Sequence, residues 1–141
     1  IYRLADVYLM EAEAYIMKGD SANMSEGLKL INVIRKRAGI PESLGSSTKL
    51  GMIQLLLEER GREFFSEGKN WFDLVRVGRR PDPGFKELFI DQVLQVSSAS
   101  TMAMIKAILQ DSNAWYLPIN TDELTTNKLL VQNPYYENLG N

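Results

Sequence analysis

Two residue types that carry much of enzyme chemistry are missing from this chain. Its 141 residues include no cysteine and no histidine. Without cysteine there is no disulfide, no thiolate nucleophile and no thiolate metal site. Without histidine there is no imidazole to act as a general base or a zinc ligand. Any catalysis would depend on carboxylates, lysines, tyrosines and hydroxyl groups, and we expect neither a metal nor a cofactor.

An excess of one charge is also missing. Sixteen basic and eighteen acidic residues give a formal net charge of −2, and basic residues adjoin one another only at 35–37 and 79–80. Because no basic surface that could follow a phosphate backbone is indicated, nucleic acid is not an expected partner. No apolar run approaches the roughly 18–20 residues that cross a bilayer.

The domain organisation is read from length, composition and the opening residues. A hydrophobic content of 45% can bury a core, and 141 residues suit one ordinary domain. The chain opens with IYRLADVYLMEAEAYIMKG, already inside an amphipathic pattern and without an initiator methionine or a signal-peptide pattern. We therefore expect residues 1–141 to form a single domain that is the C-terminal fragment of a longer chain.

The first predicted structural unit is a pair of antiparallel helices on either side of the polar break KGDSANMSE. Small, aromatic and aliphatic residues recur there at steps of three and four: Tyr8, Ala12, Tyr15, Gly19, Gly27, Ile31 and Ile34. Ser25 is the expected cap of the second helix. The order of small and aromatic residues is similar to a tetratricopeptide pair, although the spacing is equally typical of an ordinary helical hairpin.

A long helical stripe follows the loop GIPESLGSSTK. Its members recur at steps of three and four: Leu50, Ile53, Leu57, Gly61, Phe64, Gly68, Trp71 and Val75. Because glycine weakens a helix interior by about 0.5–1 kcal/mol relative to alanine, we expect a break at Gly68 and a short second helix over Asn70–Val77. On this stripe Leu50 and Trp71 are predicted to be buried.

Three acids, Glu59, Glu63 and Glu67, stand at four-residue spacing on the predicted helix. Unpartnered like charges at this spacing cost about 0.2–0.5 kcal/mol per pair, so cationic partners are expected. On a helical wheel Glu67 flanks the apolar stripe, Glu63 lies further out and Glu59 lies on the polar side, which predicts that Glu67 is partly buried. The candidate partners are Arg3, Arg60 and Arg76.

The same acids allow a catalytic hypothesis. Glycosidases place two carboxyl groups roughly 5–10 Å apart, and Glu63 and Glu67 are one helical turn apart. Acids at this spacing are far more often solvated or held in ion pairs. We therefore favour a structural ion network and keep a glycoside hydrolase as a third hypothesis only.

The remaining sequence predicts supporting helices and a looped tail. Asp82 and Pro83 are expected to cap and begin one helix, and Ser100 or Thr101 to cap another. The tail beyond Trp115 is expected to be mostly looped, with a helical turn after Thr121.

Three motifs together carry a family resemblance. RLADVYLMEAEAY, EERGREFFSEGKNWFDLVRVGR and YLPINTDELTTNKLLVQNPYY, in this order, closely resemble the C-terminal part of the SusD/RagB family of nutrient-binding outer-membrane lipoproteins of Bacteroidota. The middle motif is the most specific of the three. The resemblance covers nearly the whole chain, and only the stretch 81–112 is less distinctive.

The resemblance implies a mainly α fold: a tetratricopeptide-like helical hairpin, further helices and a long looped C-terminal tail. It implies a protein without enzymatic activity, exposed at the outer-membrane surface, that binds glycans or peptides and delivers them to a SusC-like TonB-dependent transporter. Membrane contact would come only through a lipid anchor outside this chain. The resemblance also implies a structural ion network of Glu59, Arg60, Glu63, Glu67, Asp73 and Arg76.

Candidate ligand contacts are aromatic residues in loop-like sequence, since sugar rings stack on exposed aromatic faces. The candidates are Trp115, Tyr116, Tyr135 and Tyr136. Trp71 is a poor candidate because it lies on the predicted buried stripe. The alternative function is a helical-repeat module that binds other proteins in a concave groove.

Overall fold

The computed structural model describes residues 3–137. Over these residues the chain forms eight α-helices and one 3₁₀ turn, and it contains no strand. The helices are α1 Leu4–Lys18, α2 Ser21–Arg37, α3 Lys49–Glu63, α4 Asn70–Gly78, α5 Phe85–Leu94, α6 Met102–Leu109, α7 Thr121–Thr126 and α8 Pro134–Glu137, and the 3₁₀ turn is Ser112–Trp115. This confirms the predicted mainly α class and the helical turn after Thr121.

The chain divides into two compact units, Ile1–Leu88 and Phe89–Asn141. The expectation of a single domain over residues 1–141 stays a prediction. None of the helices described over residues 3–137 is both long and apolar enough to cross a bilayer.

The first unit begins with the α1–α2 hairpin, whose turn is shorter than predicted. Gly19 ends α1 with φ of 83°, and Asp20 caps α2 by accepting a hydrogen bond of 2.9 Å from the backbone N–H of Asn23. The cap expected at Ser25 is therefore wrong. Because Asp20 satisfies one of the free N–H groups in the first turn, α2 begins at Ser21 and includes most of the polar break.

Gly27 sets how closely the two helices of the hairpin approach. A Cβ atom added to Gly27 would lie 2.8 Å from Ile16 Cγ1 and 2.9 Å from the backbone oxygen of Ala12. Both distances are shorter than van der Waals contact. The core of this unit is packed from the same helices and α3, with Leu9, Ile16, Ile31, Met52, Ile53 and Leu56 fully buried.

Gly27→Ala is expected to lower the free energy of unfolding by about 1–3 kcal/mol, because the methyl group must push α1 and α2 apart. The matched control is Gly61→Ala in α3, where an added Cβ would meet only Asn70 Oδ1 at 3.6 Å. That change should raise stability by about 0.5–1 kcal/mol through helix propensity. Urea unfolding of both variants measures the difference, and equal midpoints would contradict the close approach at Gly27.

A break separates α3 from α4, as predicted, but it starts earlier. α3 ends at Glu63, and the backbone turns through Ser66, with φ of 64°, and Gly68, with φ of 71°. Helix α4 then runs from Asn70 to Gly78, one residue beyond the predicted end. The break therefore occupies residues 64–69, with Gly68 as its last left-handed residue.

Two stripe members that were predicted to be buried are partly exposed. Trp71 is 40% exposed and Leu50 is 37% exposed. A helical wheel assumes one continuous helix, whereas the turn at residues 64–69 starts α4 with a new orientation of its side chains. The side chain of Trp71 therefore does not lie on the buried face that contains Leu57 and Phe64.

The start of α5 also differs from the prediction. Gly84 has φ of 83°, so the helix begins at Phe85 and not at Pro83. The Asp82 carboxylate, expected to cap this helix, instead accepts a hydrogen bond of 2.6 Å from Lys49 Nζ. In the second unit α6 begins at Met102, directly after one of its two predicted caps, Thr101, whose side chain makes no capping hydrogen bond.

Candidate functional site

The acids Glu59, Glu63 and Glu67, which we call the acid stripe, pair with arginines from other segments of the first unit. Arg3 Nη1 lies 2.8 Å from Glu63 Oε1, and Arg3 Nη2 lies 2.6 Å from Glu67 Oε1. Arg37 Nη2, from α2, pairs with Glu63 Oε2 at 2.5 Å. Both acids that could have served as a catalytic pair thus share one arginine, and Glu63 holds a second.

The burial order of the acids is the reverse of the prediction. Glu59 is 2% exposed, Glu63 has 7% of its side chain exposed and Glu67 has 31%. Glu59 was expected on the polar side of α3, but α2 packs there and contributes Arg35, whose Nη1 lies 2.9 Å from Glu59 Oε2. Arg62 Nη2 lies 2.8 Å from the same oxygen. Two cations therefore compensate the burial of this carboxylate.

Arg60 is a buried cation of the first unit. It is 6% exposed, and its Nε donates a hydrogen bond of 2.7 Å to Asp73 Oδ2. Its Nη2 lies 3.7 Å from Asp6 Oδ1, a carboxylate that is 1% exposed and that also accepts a hydrogen bond of 2.7 Å from Lys69 Nζ. Arg60 thus pairs with acids of α1 and α4 and not with Glu67, for which it was a candidate partner and which Arg3 binds instead.

Ion pairs also join α1 to α4 along their length. Lys69 at the start of α4 binds Asp6, and Arg76 two turns later binds Glu13, which is seven residues after Asp6. The Arg76 Nη2 to Glu13 Oε2 distance is 2.8 Å, and Arg80 Nη2 lies 3.2 Å from Glu13 Oε1. The constant offset shows that the two helices run in the same direction with their charges in register.

All six residues of the predicted network make ion pairs: Glu59, Arg60, Glu63, Glu67, Asp73 and Arg76. Asp6, Glu13, Arg35 and Lys69 also belong to the network and were missed. Apart from the contact between Lys69 and Glu67, their partners lie between 24 and 67 residues away in sequence, beyond the reach of helical spacing. The one available signal was Asp6 and Glu13 at a seven-residue step, which places both on one face of α1.

The network predicts a pH dependence of stability. Burial opposes ionisation of Asp6, but hydrogen bonds from Lys69 and the Arg3 backbone outweigh it and hold the pKa of Asp6 below its usual value of 3.8. Its stabilising contribution is therefore complete above about pH 4 and is lost as the pH falls through the lower pKa of the folded state. Asp6→Asn should flatten the fall of the urea midpoint between pH 5 and pH 2, relative to the unchanged protein. Parallel curves would contradict this assignment.

The four predicted ligand contacts lie in the second unit, and one of them is buried. Trp115 is 2% exposed, its ring centroid lies 4.2 Å from that of Phe89, and its Nε1 donates a hydrogen bond of 2.9 Å to the Leu109 backbone oxygen. A sugar ring has no face of this indole to stack on. The expectation that loop position exposes Trp115 is wrong because the 3₁₀ turn directs the side chain inward.

The other three predicted contacts lie near one another. Tyr116 is 42% exposed, and the rings of Tyr135 and Tyr136 meet edge to face with centroids 5.1 Å apart. Asn133 joins the two segments, because its Nδ2 donates to the backbone oxygens of Asn113 at 2.8 Å and Tyr116 at 3.4 Å. We call Tyr116, Tyr135 and Tyr136 the tyrosine cluster. It offers aromatic edges and faces, and the Asn133 amide holds its two segments together.

A groove of about 440 Å³ lies in the first unit between α1 and α4, with α3 as its floor. Its apolar lining comes from α1, its cations come from α3, α4 and the segment after α4, and two acids complete it: Met10, Ala14, Met17, Arg60, Arg76, Arg80, Glu13 and Asp73. Within residues 3–137, no group of three or more acidic side chains is arranged to hold a metal ion.

Comparison with known proteins identifies the family. A model of the SusD family matches residues 1–136. The starch-binding protein SusD of Bacteroides thetaiotaomicron is 38% identical over 78 residues, covering 55% of this chain and 12% of that protein. The SusD-like protein P38 of Formosa agariphila is 27% identical over 96% of this chain and 24% of its own length.

A SusD-like protein of Bacteroides ovatus is 41% identical over 53% of this chain and 13% of its own length. The chain thus spans a quarter or less of these relatives. No solved structure matches significantly. Because the family model matches nearly every residue of the chain, the chain belongs to the SusD family.

Proposed function

We propose that this protein binds glycans or other oligomeric nutrients at the surface of the bacterial outer membrane and delivers them to a SusC-like TonB-dependent transporter. The observation that carries the proposal is the match to the SusD family over residues 1–136. One of the similar proteins is named for starch binding. A lipid anchor outside this chain would hold the protein at the membrane.

The ligand contacts that we propose within this chain are the tyrosine cluster. Tyr116 presents an exposed ring, and Tyr135 and Tyr136 are half-buried beside it, so their positions are held by packing. Aromatic faces match the CH surface of a sugar ring, and tyrosine hydroxyl groups can bond its hydroxyl groups. Trp115 is left out of this site because it is buried.

We propose that the protein carries out no hydrolysis of its ligand. A glycosidase needs one carboxylic acid with a raised pKa, whereas the hydrogen bond from Arg3 lowers the pKa of Glu67. Glu63 is held by Arg3 and Arg37, and Glu59 is buried between Arg35 and Arg62. We therefore propose that these acids stabilise the fold through ion pairs and do not take part in catalysis.

A second candidate function is a helical-repeat module that binds peptides. The groove between α1 and α4 supports it, because methionine and alanine line one side while Arg76 and Arg80 line the other. Such a groove suits a short segment with an apolar face, because both arginines already pair with Glu13.

The test is a screen of the full-length protein against arrays of glycans and peptides. We expect glycan binding that Tyr116→Ala weakens and that Leu117→Ala, an exposed neighbour at 87%, leaves unchanged. Binding of peptides alone, weakened by Met10→Glu in the groove, would instead favour the second candidate. Equal binding by the Tyr116 and Leu117 variants would remove the tyrosine cluster from the site.

A further inference from the structure

The turn between α3 and α4 surrounds a cavity of about 420 Å³ in the first unit. None of its lining residues is charged, and its main contributors are Gly61, Phe64, Phe65, Ser66, Asn70 and Trp71. Small-molecule sites in proteins have volumes of roughly 300–1,000 Å³ and combine mostly apolar walls with a few polar groups. The cavity at this turn, which we call the turn cavity, has both properties.

Three aromatic rings shape the turn cavity. Phe65 is 82% exposed and Trp71 is 40% exposed, whereas Phe64 beneath them is 3% exposed. Lys69 Nζ lies 4.3 Å and Arg60 Cζ 4.9 Å from the centroid of the Phe64 ring. These cation–π contacts hold the Phe64 ring in place. The cavity therefore has one fixed aromatic ring, that of Phe64, and two solvent-accessible rings, those of Phe65 and Trp71.

The polar groups of the turn cavity are neutral. Asn70 offers two amide donors and a carbonyl acceptor, a set that suits adjacent hydroxyl groups of a sugar. Its side chain lies across Gly61, where the absence of a side chain leaves the space open, since an added Cβ would be 3.6 Å from Asn70 Oδ1. Ser66 has φ of 64°, a conformation unfavourable for residues with a side chain and concentrated at binding sites in proteins.

We propose that the turn cavity binds a sugar ring of a neutral glycan, as a site separate from the tyrosine cluster. The class of ligand rests on the proposed function, and the neutral character rests on the lining. The nearest cation, Lys69, already pairs with Asp6 at 2.7 Å and Glu67 at 3.2 Å, so it has little charge left for an acidic sugar. Stacking on Trp71 and Phe65 and hydrogen bonds to Asn70 would hold the ring.

The experiment measures binding of maltoheptaose and a panel of other neutral oligosaccharides to the full-length protein by calorimetry. A Tyr116→Ala background removes the contact proposed in the second unit. In that background we expect residual binding, which Trp71→Ala should weaken about tenfold. Gly61→Leu, which fills the turn cavity without removing a polar group, should do the same. The matched control is Phe72→Ala, because Phe72 is 73% exposed next to Trp71 but does not line the cavity.

A loss of affinity in Trp71→Ala and Gly61→Leu, but not in Phe72→Ala, would support the turn cavity as a sugar site. If Tyr116→Ala alone abolishes binding, or if neither cavity variant changes it, the turn cavity is not a site while the proposed function stands. A lower unfolding midpoint for Trp71→Ala with unchanged affinity would identify a packing surface and overturn the inference. If the unchanged protein binds no neutral oligosaccharide, the inference fails, and the peptide array then decides the broader function.

Discussion

Arg60→Met is expected to lower the free energy of unfolding by about 3–5 kcal/mol, because it leaves buried carboxylates without their shared cation. Asp73 is 7% exposed and Asp6 is 1% exposed, and the Arg60 guanidinium lies between them. Methionine keeps most of the side-chain volume, so the loss would come from charge and hydrogen bonds and not from a cavity. Urea unfolding of the full-length protein at pH 7 measures the change.

Two controls separate a buried network from a general effect of charge. Lys29→Met removes an exposed pair with Glu26 and should change stability by no more than about 1 kcal/mol. In Arg60→Met the buried Asp73 carboxylate keeps only Arg76, at 3.2 Å, as a partner. Asp73→Leu combined with Arg60→Met removes that carboxylate, so the double variant should recover part of the loss. Similar small effects for Arg60→Met and Lys29→Met would contradict a structural role of the network.

Trp115→Ala should cost about 3–5 kcal/mol in the stability of the second unit, since it deletes a buried indole that packs against Phe89. Trp115→Phe keeps an aromatic ring but leaves the backbone oxygen of Leu109 without its donor, and a smaller loss of about 1–3 kcal/mol is expected. Thermal unfolding monitored by circular dichroism measures both. The ordering of the two losses follows from the volume removed.

The companion measurement is glycan affinity. Trp115→Phe should bind glycan like the unchanged protein, because the indole has no accessible face. Tyr116→Ala should show the opposite pattern, with weakened binding and little change in unfolding, because Tyr116 is 42% exposed. A stable, folded Trp115→Phe protein that fails to bind glycan would show that Trp115 contacts the ligand after all.

Local signals in the sequence were sufficient for the helices and for the break between α3 and α4. Apolar periodicity predicted the α1–α2 hairpin, and Gly68 predicted the end of the long helix within a few residues. The cap of α2 was misplaced because Asp20 and Ser25 are both good capping residues, and only the two-residue turn decides between them. Element boundaries therefore depended on turn geometry that spacing does not contain.

The helical wheel of α3 alone could not predict which of its charged residues are buried. The helical wheel gave α3 a single buried face, but α1, α2 and α4 all contact it, so Glu59 is enclosed and finds Arg35 on α2. The sequence indicated that the acids needed cations, and it did include Arg3 among the candidates. It could not assign partners that lie up to 64 residues away.

Loop position alone did not predict which aromatic candidates are exposed. Trp115 and Tyr116 are adjacent in loop-like sequence, yet one is buried and the other is exposed. Trp115 turns inward because it packs against Phe89 and donates a hydrogen bond to the Leu109 backbone oxygen. The positions of both partners are set by folding and not by the local sequence. Trp71 shows the converse, since a predicted core residue became exposed once the helix broke before it.

The most direct test of the central claim, that this is a binding protein whose acid stripe holds its fold, is a paired assay of glycan binding and glycan cleavage. The full-length protein, Glu63→Gln and Glu67→Gln would be incubated with each glycan that the array identifies, and products would be separated by chromatography. We predict binding by all three proteins, no cleavage products, and a lower unfolding midpoint for Glu63→Gln, the more buried acid. Cleavage by the unchanged protein that either variant abolishes would contradict the account and make the acid stripe a catalytic site.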